Sequence, residues 1–285
     1  MLHIQNSYQV TVSNGCIKRI LKANNYGYRK PSKSLAIGKS PHRSQQFEII
    51  MFLTALFWDM ENNPIISIDT KKKEPLGQLT RNETVLCQVS QDGEIPEVYD
   101  HDFSFLATGK AIPHGIFDVK LNKGYMSIGN SHETAAFVVD NLDWWWQNFG
   151  ELLYPKASTM LILCDSGGAN GHRHHLFKKL LQDWSKKIGI KILIVHYPPY
   201  CSKYNPIERR LFAQVHQTIK HTILTDFQQV KELISKTATS KGLSVEVRIN
   251  NVFYPTKQHS SVEDIDKKRI LYHPDLPNFS YTILP

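Results

Sequence analysis

Three features of the sequence predict an α/β fold with a mixed five-stranded sheet and flanking helices. Residues 65–70 (IISIDT), 159–165 (TMLILCD) and 191–196 (KILIVH) are short, almost continuously apolar runs, the pattern of strands buried on both faces. Residues 110–120 and 125–129 are two further strand candidates joined by a turn at 122–124, which makes a meander with the first run. Strands that first pair in a meander and then alternate with helices share one mixed sheet.

The elements follow in chain order. Within residues 9–28, Ser13 and Asn14 can cap a short helix that carries Ile17, Ile20 and Leu21 at helical spacing, and Gly27 closes it, like the last helix of a helix-turn-helix. Residues 29–44 are a basic linker, and 45–62 (with FEIIMFLTALFWDM) are a helical apolar run. The division expected is therefore a partial helix-turn-helix and linker over 1–44 and a catalytic-type domain over 45–285. Residues 131–149 predict a helix with Ala135, Phe137, Val138, Leu142, Trp145 and Phe149 as its stripe, opening after Ser131. A Gly-rich turn, 166–171, leads into a helix over about 174–187, and another helix opens at Asn205 with Pro206 as its first residue. Residues 241–285 contain short strands or an extended tail against the core.

Composition narrows the function. The chain has 285 residues, 41% hydrophobic, which excludes wholesale disorder and a long domain array. Its apolar runs fall far short of the ~20 residues that span a bilayer, and no secretory leader pattern opens it, so a cytoplasmic protein without membrane contact is expected. Four cysteines without a C-x-x-C pair predict reduced, structural thiols. Net charge is +8, and Lys18, Arg19, Lys22, Arg29, Lys30, Lys33, Lys39 and Arg43 precede the first acidic residue, Glu48. That segment suits phosphate, and points to a polyanion partner.

Three acidic residues occupy related positions: Asp69 ends one apolar strand, Asp165 ends another, and Glu208 stands at the third position of the helix opening at Asn205. If the first and fourth strands run parallel and adjacent, both aspartates converge at one carboxyl edge, where open α/β sheets bind ligands. Taken singly, each has a plainer reading, as a turn residue or a helix-start acid. Three converging carboxylates, however, repel one another unless cations neutralise them, and hard oxygen donors select Mg2+ or Mn2+ over zinc. Two such ions, roughly 3.5 to 4 Å apart, suit in-line phosphodiester displacement. In a basic protein that chemistry points to nucleic acid.

The strings IISIDTKKKE (65–74), DHDF (100–103), GKAIPHGIFDV (109–119), CDSGGANGHR (164–173), YPPYCSKYNPIERRLF (197–212) and NFSYTILP (278–285) resemble the ISAzo-type, or Rhodopirellula-type, insertion-sequence transposases of the DDE group. The resemblance covers essentially 10–285 in order. It implies a ribonuclease H-like fold and Mg2+-dependent cleavage and joining of DNA, with Mn2+ able to substitute and two ions per site. It also implies Asp69, Asp165 and Glu208 as the catalytic and metal-binding residues, at intervals of 96 and 43 residues. The Asn-Pro-Ile-Glu string at 205–208 is similar to the mariner-like branch as well. Implied partners are double-stranded DNA, as element ends and as target, and a second copy of the chain in the synaptic complex. Family members carry a longer helix-turn-helix region, so loss of end recognition in a silent, truncated DNA-binding remnant is one alternative. A ribonuclease H-like nuclease that does not transpose is another.

Other residues compete for these roles. Asp100 and Asp102 lie in a polar stretch and Asp118 on a hairpin strand, so all three rank below Asp69. Lys71 and Lys73 share a face just after Asp69, and Lys203, Arg209 and Arg210 surround Glu208; with Lys18 and Arg19 they are candidate DNA contacts. His172, His174 and His175 match no zinc ligand frame, and the glycines after Asp165 lack the lysine of a phosphate-binding loop. Of Trp144, Trp145 and Trp146, one helix face cannot bury all three, so core packing is expected for Trp145 and at least one of the three is expected to be exposed or at an interface.

Overall fold

β1 (Ile65–Thr70) is the axis of the molecule, because both of its faces are apolar and both of its edges are paired. The computed structural model describes residues 9–27, 41–80, 84–86 and 97–285. The elements after β1 are β2 (Glu74–Leu76), β3 (Leu79–Thr80), β4 (Tyr99–Asp100), β5 (Gly109–Asp118) and β6 (Lys123–Gly129). Then come β7 (Thr159–Cys164), β8 (Lys191–His196), β9 (Ser244–Asn250), β10 (Ile270–Tyr272) and β11 (Ser280–Ile283). The strand order is β10-β11-β8-β7-β1-β5-β6-β9, with β2 also paired to β5.

The five central strands, β8-β7-β1-β5-β6, are those expected from the sequence. β1, β7 and β8 run parallel, whereas β5 and β6 return antiparallel as the meander. The C-terminal region adds to both edges: β9 pairs with β6, and β11 pairs with β8 and β10. Asn122 turns the β5–β6 hairpin with φ 55, a left-handed conformation that asparagine tolerates.

Helices cover both faces. On one face α3 (Ala135–Trp145) and α4 (His175–Ile188) pack on Ile66, Ile68, Ile162 and Ile194. On the other, α2 (Arg43–Asp59), α5 (Ala213–Ile219) and α6 (Phe227–Ser235) pack on Ile65, Leu161, Leu163 and Val195. Period-two alternation therefore assigns Ile65, Ser67 and Asp69 to the α5 face and Ile66 and Ile68 to the α3 face.

Two expectations need correction in detail. The helix expected from Ser131 begins at Ala135, because Thr134 is the cap, its hydroxyl accepting from Phe137 N at 3.2 Å; Ser131 instead accepts from Tyr254 N at 2.9 Å. Of the three tryptophans, Trp145 and Trp146 are both buried and Trp144 is half-buried. A π-turn follows at Trp146–Gly150, and the missing side chain of Gly150 leaves room for the inner ring, since a Cβ there would stand 2.6 Å from Trp146 Cε3.

A separate unit, residues 1–37, contains α1 (Asn14–Ala23). Ser13 caps it as expected, accepting from Cys16 N at 3.1 Å, and none of its residues is buried within the unit. Most of the basic linker lies outside the described residues.

Candidate active site

The register of the parallel β1–β7 pair brings two of the three acids together. Ser67 pairs with Leu163, so Asp69 and Asp165 stand two residues further along neighbouring strands and on one face. Such strands lie about 4.8 Å apart. Glu208 comes from the helix that covers this face, whose Ile207, Leu211 and Phe212 pack on it. Close approach depends on glycine. A Cβ on Gly115, which pairs with Asp69, would stand 2.6 Å from the Phe212 ring and 2.9 Å from Ile207 Cδ1.

Electrostatics marks the same group. Burial, then the charge of Asp165, raise the Asp69 pKa from 3.8 to about 8, with Glu208 and Glu133 adding to it. Asp165 is raised by burial and by Glu133 against the opposing Gly167 and Asn170 hydrogen bonds, and Glu208 is raised by burial and Asp165 against the charge of Lys71. These are carboxylates held near one another at a cost, as catalytic groups commonly are. Their oxygen-only donor set fits a hard divalent cation. Among the described residues no three His, Cys, Asp or Glu side chains already stand at coordinating distance, so binding would require the carboxylates to close in.

Backbone support for Asp165 comes from the next strand. His196 is fully buried, its pKa pushed down to about 3 by burial, and its neutral ring donates from Nδ1 to the Asp165 carbonyl at 2.8 Å. His172 Nδ1 lies 3.2 Å from the Ser166 carbonyl, and Ser166 Oγ donates to the Tyr197 carbonyl. The Gly-rich turn is thereby stitched to the loop after β8.

Sequence reasoning missed Glu133, Ser67 and His196. Glu133 belongs to no motif; only its position in space, ion-paired to Lys73 at 3.1 Å and bearing on both aspartates, brings it into the site. Asn205 carries a further surprise. Its side chain does not cap the helix but turns to β1.

The candidate DNA contacts divide by environment. Lys71 is buried and ion-paired with Glu74, and with Lys72, Lys73 and Lys110 it lines a cleft that also includes Glu133. Lys203 and Arg209 are exposed and flank the Tyr204 ring at 5.0 and 5.7 Å. Arg210 lies over Phe117 and donates to the Val119 carbonyl and Asn122 Oδ1, toward the other end of β1. Lys18 and Arg19 are exposed on α1. Asp118 is also settled structurally: it is buried and accepts from Tyr154 Oη, Lys120 N and Leu121 N. Asp100 caps a short 3-10 turn that includes Asp102.

Among solved structures, the mariner Mos1 paired-end complex with Mg aligns at TM-score 0.51 and 11% identity, over 81% of this chain and 67% of that one. The Mos1 paired-end complex with the left transposon end aligns at TM-score 0.48 and 13% identity, over 81% and 65%. The catalytic domain of Mos1 mariner transposase aligns at 0.45 and 11%, over 70% and 80%. The chain thus spans about two thirds of the longer Mos1 chains, and the likeness to the first of them is one of fold. No curated protein matches the chain. The family profile described as the Rhodopirellula transposase DDE domain matches residues 2–285, and on that match the chain belongs to this transposase family.

Proposed function

We propose that this chain catalyses transposition of an insertion sequence, cleaving DNA at the element ends and joining the freed 3′ end to target DNA. The observation that carries the reading is the position of Asp69 and Asp165, each two residues beyond the paired Ser67 and Leu163 of parallel β1 and β7, beneath the Glu208 helix, in a member of the DDE transposase family. Asp69, Asp165 and Glu208 would hold the divalent cations. Two Mg2+ ions, or Mn2+ in their place, supply charge neutralisation and nucleophile activation when bound. Asp69 must surrender the proton that burial lets it keep up to about pH 8. In the cleavage step water adds to phosphorus and the P–O3′ bond breaks, leaving a 3′ hydroxyl. In the joining step that hydroxyl adds to a target phosphodiester and displaces its 3′ oxygen.

The reading assigns DNA phosphates to Lys73, Lys203 and Arg209 at the site, and to Lys18 and Arg19 on α1. Lys71 and Arg210 act as supports, through Glu74 and through the β5–β6 hairpin. Juxtaposing two element ends calls for a homo-oligomer on double-stranded DNA. The test is nicking of supercoiled plasmid carrying the DNA that flanks the gene, with Mg2+ or Mn2+. Wild type should cut and Asp165→Asn should not; full cutting by the variant would overturn the assignment. Strand transfer from a pre-cut end distinguishes a transposase from a nuclease that only cleaves.

A further inference from the structure

The first and third carboxylates belong to elements 139 residues apart in sequence, yet a pair of buried polar side chains ties those elements together just beside the site. Ser67 lies two residues before Asp69 on the same face of β1, and Asn205 lies three residues before Glu208; both are fully buried. Ser67 Oγ donates to Asn205 Oδ1 and accepts from Ile207 N at 3.1 Å. Asn205 Nδ2 donates to the Ile68 carbonyl at 3.2 Å, and the Asn205 carbonyl accepts from Glu208 N at 3.1 Å. Every one of these bonds joins the strand of Asp69 to the first turn of the Glu208 helix, or closes that turn.

The helix itself records the constraint. A π-turn begins at Glu208 and runs to Phe212. Downstream, Leu211, Phe212, Val215 and Ile219 must all face the sheet, and Leu211, Val215 and Ile219 recur every four residues. Upstream, the Ser67 and Asn205 bonds hold the first turn in an orientation of their own. One inserted residue reconciles the two demands, so that Glu208 stays with the carboxylates while the rest of the helix keeps its apolar contacts. Inserted turns of this kind concentrate at functional sites.

We infer that Ser67 and Asn205 are positioning residues that hold Glu208 against Asp69 and Asp165, so that cation affinity depends on a hydrogen-bonded clasp lying outside the carboxylates. The inference rests on the proposed catalytic reading, since it concerns the same site. Partners of metal ligands in this outer position typically matter by 10 to 100-fold in metal affinity.

The experiment compares wild type with Ser67→Ala, and with Ser67→Thr as a variant that keeps the hydroxyl. The first readout is the Mn2+ concentration that produces half of the maximal thermal shift in the DNA-free protein. The second is plasmid nicking at saturating ion, together with DNA affinity. Ser67→Ala should raise the Mn2+ midpoint at least about tenfold and slow nicking with DNA affinity little changed, while Ser67→Thr stays near wild type. Should Ser67→Ala fail to fold, Asn205→Ala is read by the same criteria. A variant that melts earlier but keeps the wild-type Mn2+ midpoint would reduce the clasp to ordinary fold stability and overturn the inference. A wild type that neither shifts with Mn2+ nor nicks DNA would remove the catalytic reading itself, and the clasp's role with it.

Discussion

Asp69 places a carboxyl at a strand end where burial and three other acids oppose its charge, and that opposition has a sign. Its folded pKa, about 8, lies above the ordinary 3.8, so the folded state keeps a proton that the unfolded state releases. Below the lower value both states are protonated and nothing is lost. Between the two, stability falls as pH rises, and above the higher value it levels off. Asp69→Asn should therefore melt higher than wild type in the absence of divalent cations, with a gap that widens from pH 5 to pH 8 in a thermal scan. Conversely, Mn2+ should raise the wild-type melting temperature and leave Asp69→Asn nearly unmoved. Because a bound cation displaces that proton, apparent Mn2+ affinity should rise by up to about tenfold per pH unit below the folded pKa. Glu133 offers a second test at this scale. Its charge raises both aspartates, so Glu133→Gln should shift the pH profile of Mn2+ binding to lower pH. Were Glu133 a ligand instead, the variant would bind Mn2+ more weakly at every pH.

At the scale of elements, the site depends on how near the Glu208 helix comes to the sheet. Gly115 on β5 and Gly124 on β6 leave the room: a Cβ at Gly124 would stand 2.5 Å from Leu211 Cδ1, as one at Gly115 would meet Phe212 and Ile207. A flexible leucine tip can give way, but the Phe212 ring and Ile207 sit in a packed layer. Gly115→Ala should cost about 1–3 kcal/mol of stability through overpacking, read as a lowered urea midpoint. It should also lift Glu208 from the aspartates and weaken Mn2+ binding. Gly124→Ala should cost less and leave Mn2+ binding close to wild type, since only the tip of the Leu211 side chain has to move. The strands were legible from period and apolarity, as was Pro206 at its helix start. The two π-turns were not, because an inserted residue answers to tertiary packing and has no local signature.

At the scale of the molecule, positive charge and the carboxylate site belong to one surface problem: on the proposed reading, phosphate contacts must draw the substrate toward groups that repel phosphate. Lys73, Lys203 and Arg209 are among the exposed or half-exposed cations beside the site. Replacing each by Ala should weaken DNA binding without regard to sequence and reduce the slope of log affinity against log salt by about one, measured by fluorescence anisotropy. Arg210→Ala should change that slope little and instead loosen the hairpin end that it bonds at Val119 and Asn122. No helix among the described residues is long and apolar enough to cross a membrane.

Local period and end signals alone specify the five central strands, their meander-then-alternate order, and the three acids at strand and helix ends. The sequence also carried the family, through strings such as CDSGGANGHR and NPIERR. It is the tertiary contacts that bring Ser67, Asn205, Glu133 and His196 beside the candidate site. Each is an ordinary polar residue in its own segment and acquires meaning from a neighbour far away in sequence: Ser67 from Asn205, Glu133 from Asp69 and His196 from the Asp165 carbonyl. Hydrogen bonds and charge coupling act over a few ångströms of space, and no spacing along the chain encodes which distant segments will meet there.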